Sequence, residues 1–496
     1  MEEPHMHART GIRGAVAEGL DRVVQAIGAI VEASDPYDGL FPSLLNPRSG
    51  KMLTTLPPAI HGQRDGDRCL HGNNLIHDEP LLKAMYALAE IDGRASFGDA
   101  AGRYLERYAR SCADTPSGLF GWGEHAFWHL LEGRVGSSRE ALMPDAQLGN
   151  ATHDHLRQAP LWLWQKLDAH NPACAQRFAD GLDNHWTEDE DQDQHEPTEY
   201  IRHANIEQSR HHPREARSCD FPRHSGFYIF DLAFAHSRSP RPETLSQLEA
   251  YLEYWWAKKD ANGLLLIESR SPEEHSFHLV HAPTQTFSLG VSLLESAELI
   301  AEAEADVADR MRRYGRTYLD GFLSAPHDLE SRIYVSLCLQ DGGDIREQMD
   351  VWGSVYGRSS VASTALLCIR AWQLTSDDRF LDWARTVGEA YLDTPFPGDE
   401  DAGVPAIPAA DPGIALDLLV DLYTVTEDAR WIDGASVLAE TLLPLYFGAV
   451  IPSGAAGIDW YESQMGPAFL VHGLTRLALT ARYGADIPMP ANYTQR

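Results

Sequence analysis

Residues 374–384 read Leu-Thr-Ser-Asp-Asp-Arg-Phe-Leu-Asp-Trp-Ala, and residues 425–435 read Val-Thr-Glu-Asp-Ala-Arg-Trp-Ile-Asp-Gly-Ala. The two stretches lie 51 residues apart and share one plan. A helix ends, an acidic turn follows, and Asp or Ser caps the next helix. The aromatic and aliphatic residues after the turn, Phe380-Leu381 and Trp431-Ile432, pack back on the first helix. Residues 88–101 (LAEIDGRASFGDAA) are a looser copy. This is an αα-hairpin used repeatedly.

Working outward, apolar residues at i, i+3, i+4 and i+7 recur in paired segments. The spacing predicts a first helix over about 13–33. Pairs follow over 79–91 and 97–111, 155–167 and 172–186, and 226–236 and 243–258. Three more span 285–302 and 304–323, 361–375 and 378–394, and 413–426 and 429–446, and a last helix spans 465–482. That gives six internal hairpins, and the first and last helices can pair as a seventh. Both end helices are apolar enough to want a partner, whereas an open solenoid needs polar caps. The expected fold is all-α, an (α/α)6–7 toroid. No Pro/Ser/Gly linker splits the chain, so residues 1–496 are read as one domain. Long segments remain at 34–78, 113–154, 187–225, 259–284, 325–360 and 448–464. They are rich in His, Arg, Trp, Asp and Gly, and long loops of that kind are usually functional. Short strands are expected in them, with residues from distant positions converging at one mouth.

The chain has 496 residues, 43% of them hydrophobic and 23% charged, which is globular composition. Its 41 Lys+Arg against 73 Asp+Glu give a formal net charge of -32. A phosphate-binding surface must be basic, so nucleic acid is disfavoured, and anionic membranes for the same reason. A few Arg and His residues can still build one cationic pocket for an acidic substrate. The six cysteines form no C-x-x-C pair, and free thiols in a reducing compartment are the simplest reading. The acidic start Met1-Glu2-Glu3 lacks an apolar signal region, and no stretch is long enough to span a membrane. A cytoplasmic protein is expected, its oligomeric state left open.

Six clusters could carry chemistry. The first is Gly121-Trp122-Gly123-Glu124-His125-Ala126-Phe127-Trp128-His129, where glycines allow a tight turn and His125 is a candidate ligand. The second is Thr152-His153-Asp154-His155, where imidazole and carboxylate suit Mn, Zn or Fe(II), or where His153 or Asp154 merely caps a helix. The third is Glu199-Tyr200-Ile201-Arg202-His203-Ala204. The fourth, Asp220-Phe221-Pro222-Arg223-His224-Ser225-Gly226-Phe227-Tyr228, sets cationic groups before a helix, or else Arg223 joins a nearby carboxylate. The fifth, Trp460-Tyr461-Glu462-Ser463-Gln464, reads as an aromatic platform with hydrogen-bonding neighbours. The sixth is His71-Gly72-Asn73-Asn74, followed by Asp78 as cap of the next helix. The acidic run 188–193 lacks calcium-loop spacing. Walker, dinucleotide-binding and nucleophile-elbow motifs are missing.

The order Gly123-Glu124-His125, His153-Asp154, Arg202-His203-Ala204 resembles that of the family-two polysaccharide lyases, pectate lyases with an (α/α)7 toroid. The resemblance covers short motifs within roughly 120–230. It implies His125 and His203 as ligands of a Mn²⁺-like ion, with Zn²⁺ or Ca²⁺ as alternatives, and Arg202 as base. The family's Glu falls here on Asp154, a shorter carboxylate flanked by His153 and His155. Such a lyase removes the proton at C5 of a uronate and expels the C4 oxygen. Arg is a poor base by its ordinary pKa, so Tyr228, Tyr461 or His224 are chemically better. Arg223 suits carboxylate clamping. Trp122, Asn73, Trp460, Glu462 and Gln464 are expected to contact an acidic oligosaccharide. Competing readings are a sugar epimerase using His224 and His278, and an (α/α) glycoside hydrolase using two of Glu124, Asp154 and Glu462.

Overall fold

The computed structural model describes residues 3–139, 151–154, 156–188, 199–212, 219–269, 277–340, 343–353, 360–397 and 406–496. At 3–13, 15, 219, 268 and 269 it describes the backbone alone. Fourteen α-helices are present among them. The helix α1 (Glu3–Ser34) is followed by six hairpins. These are α2 (Leu75–Ile91) with α3 (Ala95–Arg107), α4 (Leu161–His170) with α5 (Cys174–Gly181), and α6 (Pro222–Arg238) with α7 (Pro242–Trp256). Then come α8 (Pro283–Ile300) with α9 (Ala305–Ser324), α10 (Val361–Thr375) with α11 (Asp378–Asp393), and α12 (Ala410–Thr426) with α13 (Ala429–Tyr446). The helix α14 (Pro467–Tyr483) closes the series.

The repeated turn behaves as its sequence asks. Ser376 and Glu427 take the left-handed conformation at φ 56°, ending α10 and α12. Asp377 and Asp428 then accept hydrogen bonds from Arg379 N and Arg430 N, each 3.1 Å, and cap the next helix. The looser copy differs. Gly93, at φ 73°, makes the turn, and α3 starts without a side-chain cap.

Helices α2, α4, α6, α8, α10, α12 and α14 form an inner ring. Helix α14 packs on α2 and closes it, and α1 packs outside α14, so the seventh hairpin is made from the two ends of the chain. Position explains composition. Inner α12 is buried along nearly its whole length, because neighbours surround it. Outer α11 buries one stripe, including Phe380, Ala384, Val387 and Tyr391, at helical spacing.

Every turn from an inner to the next outer helix has two to four residues, as at 92–94, 301–304 and 427–428. Every return is long: 35–74, 113–160, 182–221, 257–282, 325–360, 394–409 and 447–466. The described parts of these long segments therefore gather at one mouth. Their short strands lace neighbouring loops together. β1 (Leu44–Leu45) pairs with β12 (Tyr461–Glu462), and β2 (Gly72–Asn73) with the hairpin β3 (Ala126–His129) and β4 (Arg134–Ser137). β5 (Thr152–His153) pairs with β6 (Ala204–Asn205), and β7 (Cys219–Asp220) with β8 (Glu268–Ser269). β9 (Val280–His281) joins β10 (Tyr334–Leu339) and β11 (Ile345–Met349). Trp352 Nε1 donates to Thr394 O at 3.0 Å, and a Pro408–Ala455 bridge completes the circuit.

Two local expectations change. Asp78 does not cap a helix beginning at Glu79: α2 starts at Leu75, and Asp78 sits buried in its first turn. Asp154 does not cap α4, which starts only at Leu161 after Pro160. Among the described residues no helix is long and apolar enough to cross a membrane.

Candidate functional site

The first piece is the loop 121–125. Gly123 has φ 95°, and a Cβ built there would fall 1.8 Å from the carbonyl oxygen of Asp154. Only glycine permits this approach of two backbones. Asn74 clamps the loop, its Nδ2 donating to Gly123 O at 2.8 Å and its Oδ1 accepting from Gly123 N at 3.3 Å. His125 follows directly, at the edge of the β3–β4 hairpin.

The second piece is the β5–β6 ladder. His153 pairs with Ala204, so in antiparallel register Asp154 lies beside His203. His203 Nε2 is 3.4 Å, and His125 Nε2 3.8 Å, from Asp154 Oδ2. His153 points the other way. Trp122 Nε1 donates to His153 Nε2 at 3.1 Å, and His153 Nδ1 meets His185 Nε2 at 2.9 Å. His185 Nδ1 reaches Ile201 O at 2.7 Å. Indole N–H can only donate, so one set of neutral tautomers satisfies the whole chain. Burial pushes the His185 imidazole down to about 3, consistent with neutral rings. His153 is thus a strut under the strand that presents Asp154, and not a member of the ligand group. His155 lies outside the described residues.

The third piece is the start of α6. Pro222 begins the helix, and Arg223 and His224 occupy its first turn. His224 Nε2 is 3.9 Å from Asp154 Oδ1. Arg202 is held through its backbone: its N–H donates to Asp220 Oδ1 at 2.8 Å, and Tyr228 Oη donates to its carbonyl at 3.2 Å. The Arg202 and Arg223 guanidiniums lie 4.8 and 5.9 Å from the ring of Phe221. Neither forms an ion pair within 4.0 Å among the described residues, and Nε of each has no hydrogen-bond partner. Beside them opens a cavity of about 240 Å³, lined by Phe221, Arg223, Gln285, Glu347, Thr364 and Arg496 among others.

Glu124, a carboxylate named from the sequence, and two groups that carry no motif, Asp67 and Arg64, complete the cluster. Asp67 Oδ1 is 3.6 Å from His125 Nδ1, and Glu124 Oε2 is 3.6 Å from His125 Nε2. Arg64 bridges both acids, at 2.6 Å to each. Asp67 and Arg64 belong to a loop with no motif, reached only through the ring. Glu124 was legible as a carboxylate beside His125.

The electrostatics separate these acids. Burial alone would raise Asp154, but the imidazoles of His203 and His224 and the Arg202 charge hold its carboxyl well below the usual range. Asp67 is pushed up to about 7 by burial and the charge of Glu124, against the pull of Arg64. Burial takes the His125 imidazole down to about 4, so it offers a lone pair at neutral pH. His125, Asp154 and His203 each present one ligand atom, all within 4.8 Å of one another. Buried His125 Nδ1 and Asp154 Oδ1 make no hydrogen bond. An N,O,N donor set with atoms 3.4–3.8 Å apart fits a small divalent transition ion, since ligands about 2.1 Å from one ion stand roughly 3–3.5 Å apart. Calcium, which takes 6–8 oxygens, fits poorly.

The other expected site residues are spent on structure. Trp122 is fully buried against His153. Asn73 donates to Phe41 O, Asp78 Oδ2 and Tyr104 Oη, holding β2 to α2 and α3. Glu462 receives a fork from Arg68, Nε at 2.7 Å and Nη2 at 2.8 Å, plus Gln63 Nε2 at 2.9 Å and Trp460 Nε1 at 3.1 Å. It is a latch between the loops 35–74 and 447–466, and Trp460 serves it. Tyr461 is buried, and burial and the charge of Asp78 hold its hydroxyl well above its ordinary pKa. Gln464 is buried beside it. Tyr228 is buried against His185, ring centroids 4.4 Å apart. His278 is exposed.

The sequence matches no protein-family model and no curated protein. Among solved structures it is similar to a sugar epimerase from a ruminal bacterium, with 12% identity and TM-score 0.47 over 78% of this chain and 88% of that one. It is similar to a D-mannose isomerase, with 11% identity and TM-score 0.46 over 78% and 98%. An unsaturated glucuronyl hydrolase specific for heparin gives 12% identity and TM-score 0.44 over 96% and 99%. Likeness at this level carries no argument about chemistry, which rests on the site itself.

Proposed function

We propose that this chain is a carbohydrate-active enzyme that cleaves a uronate-containing oligosaccharide by β-elimination. One observation supports it above the rest: two guanidiniums without carboxylate partners, Arg202 and Arg223, flank Phe221 beside the His125–Asp154–His203 group. In a chain of net charge -32, the buried Arg68, Arg476 and Arg496 all have acidic partners. Arg223 lines the cavity with no Asp or Glu within 4.0 Å among the described residues, Arg202 stands behind it across Phe221, and a uronate carboxylate suits the planar fork of Arg.

The difficult step is loss of the C5 proton alpha to that carboxylate. Arg223 clamps the carboxylate and stabilises the charge that grows on it as C5–H breaks. The freed electron pair forms the C4–C5 double bond, and the C4 oxygen leaves and takes a proton. Arg202 stays a cation, because guanidinium keeps its proton. Tyr228 donates to Arg202 O, and Tyr461 is enclosed elsewhere. His224, 3.9 Å from Asp154, is therefore our choice of base. A divalent ion such as Mn²⁺ or Zn²⁺ held by His125, Asp154 and His203 would supply Lewis-acid stabilisation of the same carboxylate.

A second reading has its own support. Asp67, its carboxyl near 7, faces Glu124, which is tied to Arg64. A carboxyl raised by burial beside a second carboxylate suits the general acid of a glycoside hydrolase. Incubation with a panel of oligouronates, with chelator and with added Mn²⁺, separates the two. A lyase product carries a conjugated double bond and absorbs in the ultraviolet. Hydrolysis releases reducing ends with no such absorbance. Growth of absorbance that Arg223→Ala abolishes is the expected result. Reducing ends without absorbance would replace the lyase by the hydrolase, and neither signal on the panel would sink both.

A further inference from the structure

After α14 the chain does not drift off the surface. Gly484 ends the helix, and residues 485–496 become more enclosed as they proceed: Asp486 is exposed, Asn492 and Thr494 are buried. The segment runs inside the inner ring and bonds to six of its seven helices and to the residue run just before the seventh. Arg476 of α14 donates to Met489 O at 3.1 Å. Asn492 N donates to Asp417 of α12 at 2.6 Å, and Asn492 Nδ2 to Glu79 of α2 at 2.7 Å. Tyr493 Oη donates to Asp421 of α12 at 2.8 Å and accepts from Gln373 of α10 at 3.3 Å. Arg496 pairs with Glu295 of α8 at 2.8 Å and bonds Gln158, just before α4, at 3.0 Å. Arg223 of α6 donates to Arg496 O at 3.1 Å.

This explains an oddity of the inner helices. Glu79, Asp417, Asp421, Glu295 and Arg476 occupy enclosed positions on helices read as apolar, where an unsatisfied charge is costly. Their partners are each other and the segment, together with Arg370 and Gln158 on Glu295 and Trp162 on Glu79. Arg496 also lines two cavities at once: the mouth cavity of about 240 Å³ and one of about 520 Å³ toward the short-turn face. It stands as the partition between them.

We propose that residues 485–496 are a built-in plug in which Arg496 is a positioning and specificity-determining residue. Its side chain sets the floor of the mouth cavity and its carbonyl oxygen holds Arg223, so that the pocket accepts the end unit of an acidic chain and does not let the chain pass through. The substrate part of this inference rests on the site assignment above; the plug itself does not. A cavity of 240 Å³ is just below the usual ~300–1,000 Å³ of ligand pockets, as expected for one end unit.

The test has two arms. In the first, a chain ended after Gly484 is melted with and without a synthetic peptide of residues 485–496. The peptide is expected to raise its melting temperature, and no rise overturns the plug. Should the shortened chain fail to fold, Asn492→Asp in the full chain puts a carboxylate against Glu79 and must lower the melting temperature; an unchanged value overturns the plug equally. In the second arm, short and long oligouronates are given to wild type, Arg496→Ala and Arg496→Lys. Wild type should release end units from the first turnovers. Arg496→Ala should raise KM for the shortest oligomers about tenfold with kcat little changed, and Arg496→Lys should recover part of it. Internal scission by wild type, or an Arg496→Ala KM unchanged at every length, overturns the role of Arg496. If wild type turns over no uronate, the lyase assignment and the end-unit role fail together, while the first arm still decides the plug.

Discussion

Glu462→Gln tests whether the Trp460–Gln464 segment is a structural latch or a substrate platform. Glu462 and Arg68 are enclosed, with side chains 1% and 0% exposed. Four donors converge on the carboxylate: Arg68 Nε and Nη2, Gln63 Nε2 and Trp460 Nε1. A glutamine keeps one acceptor oxygen, on the side of Arg68 Nε and Gln63. It sets an NH₂ against Arg68 Nη2 and Trp460 Nε1, donor to donor, and leaves the guanidinium only the half-exposed Asp65, 3.2 Å from Nη1, as counter-charge. Breaking a buried pair from one side costs about 3–5 kcal/mol. Unfolding entropy of about 2.1 cal/mol/K per residue, over a chain of 496 residues, comes to about 1 kcal/mol/K. The melting temperature should therefore fall by about 3–5 °C, followed by calorimetry or dye fluorescence. Arg68→Met alone strands the carboxylate and should cost as much. The double variant Arg68→Met/Glu462→Gln removes both charges and should regain most of the loss, a strongly non-additive cycle. A Glu462→Gln protein that melts with wild type, but loses turnover, would refute the latch and return Glu462 to the substrate.

The remaining predictions concern the site and its supports. Gly123→Ala must drive the loop 121–125 off Asp154, since its Cβ would stand 1.8 Å from a carbonyl oxygen; Mn²⁺ or Zn²⁺ affinity by calorimetry should fall at least tenfold, and an unchanged affinity would separate the loop from the ligand group. His203→Ala should lower the affinity for either ion about 10–100-fold while leaving the melting temperature of the ion-free protein near that of wild type; equal affinity would remove His203 as a ligand. Burial pushes the Asp78 carboxyl from 3.8 up to about 8, so folding favours its protonated form. The stability this contributes is complete below pH 3.8 and is lost as pH rises toward about 8. Urea unfolding should show wild type weakening relative to Asp78→Asn between pH 5 and pH 8, and parallel curves would show that Asp78 is ionised in the fold.

Much of the scaffold was readable because helical periodicity is local. The turn after Leu374 and its copy after Val425 each carry their own stop and cap, and both fold as written. The closing of α14 against α1 and α2 was readable in outline from two apolar end helices. The site was readable in kind but not in membership. His125, Asp154 and His203 converge, whereas His153, next to Asp154 in sequence, faces the opposite side of β5 because strand side chains alternate. Asn74 clamps the site loop while its neighbour Asn73 holds β2 to α2 and α3, again by alternation. Arg64 and Asp67 carry no motif and reach His125 only because β2 and β3 pair. Glu462 looked like a sugar contact because its partner Arg68 is far away along the chain.

What the sequence by itself determined is the number of helices, their pairing and the charge sign of the molecule, all set by contacts within one hairpin or by composition alone. What only the tertiary structure decided is which loop residues share a site and what fills the ring. Strand register brings His203 to Asp154, and a slip of one residue would turn either away. Glu79, Asp417 and Glu295 read as ordinary charges on apolar helices until the segment 485–496 is seen to run between them. Burial and long-range pairing give these groups their partners, and neither is written in any single stretch of the chain.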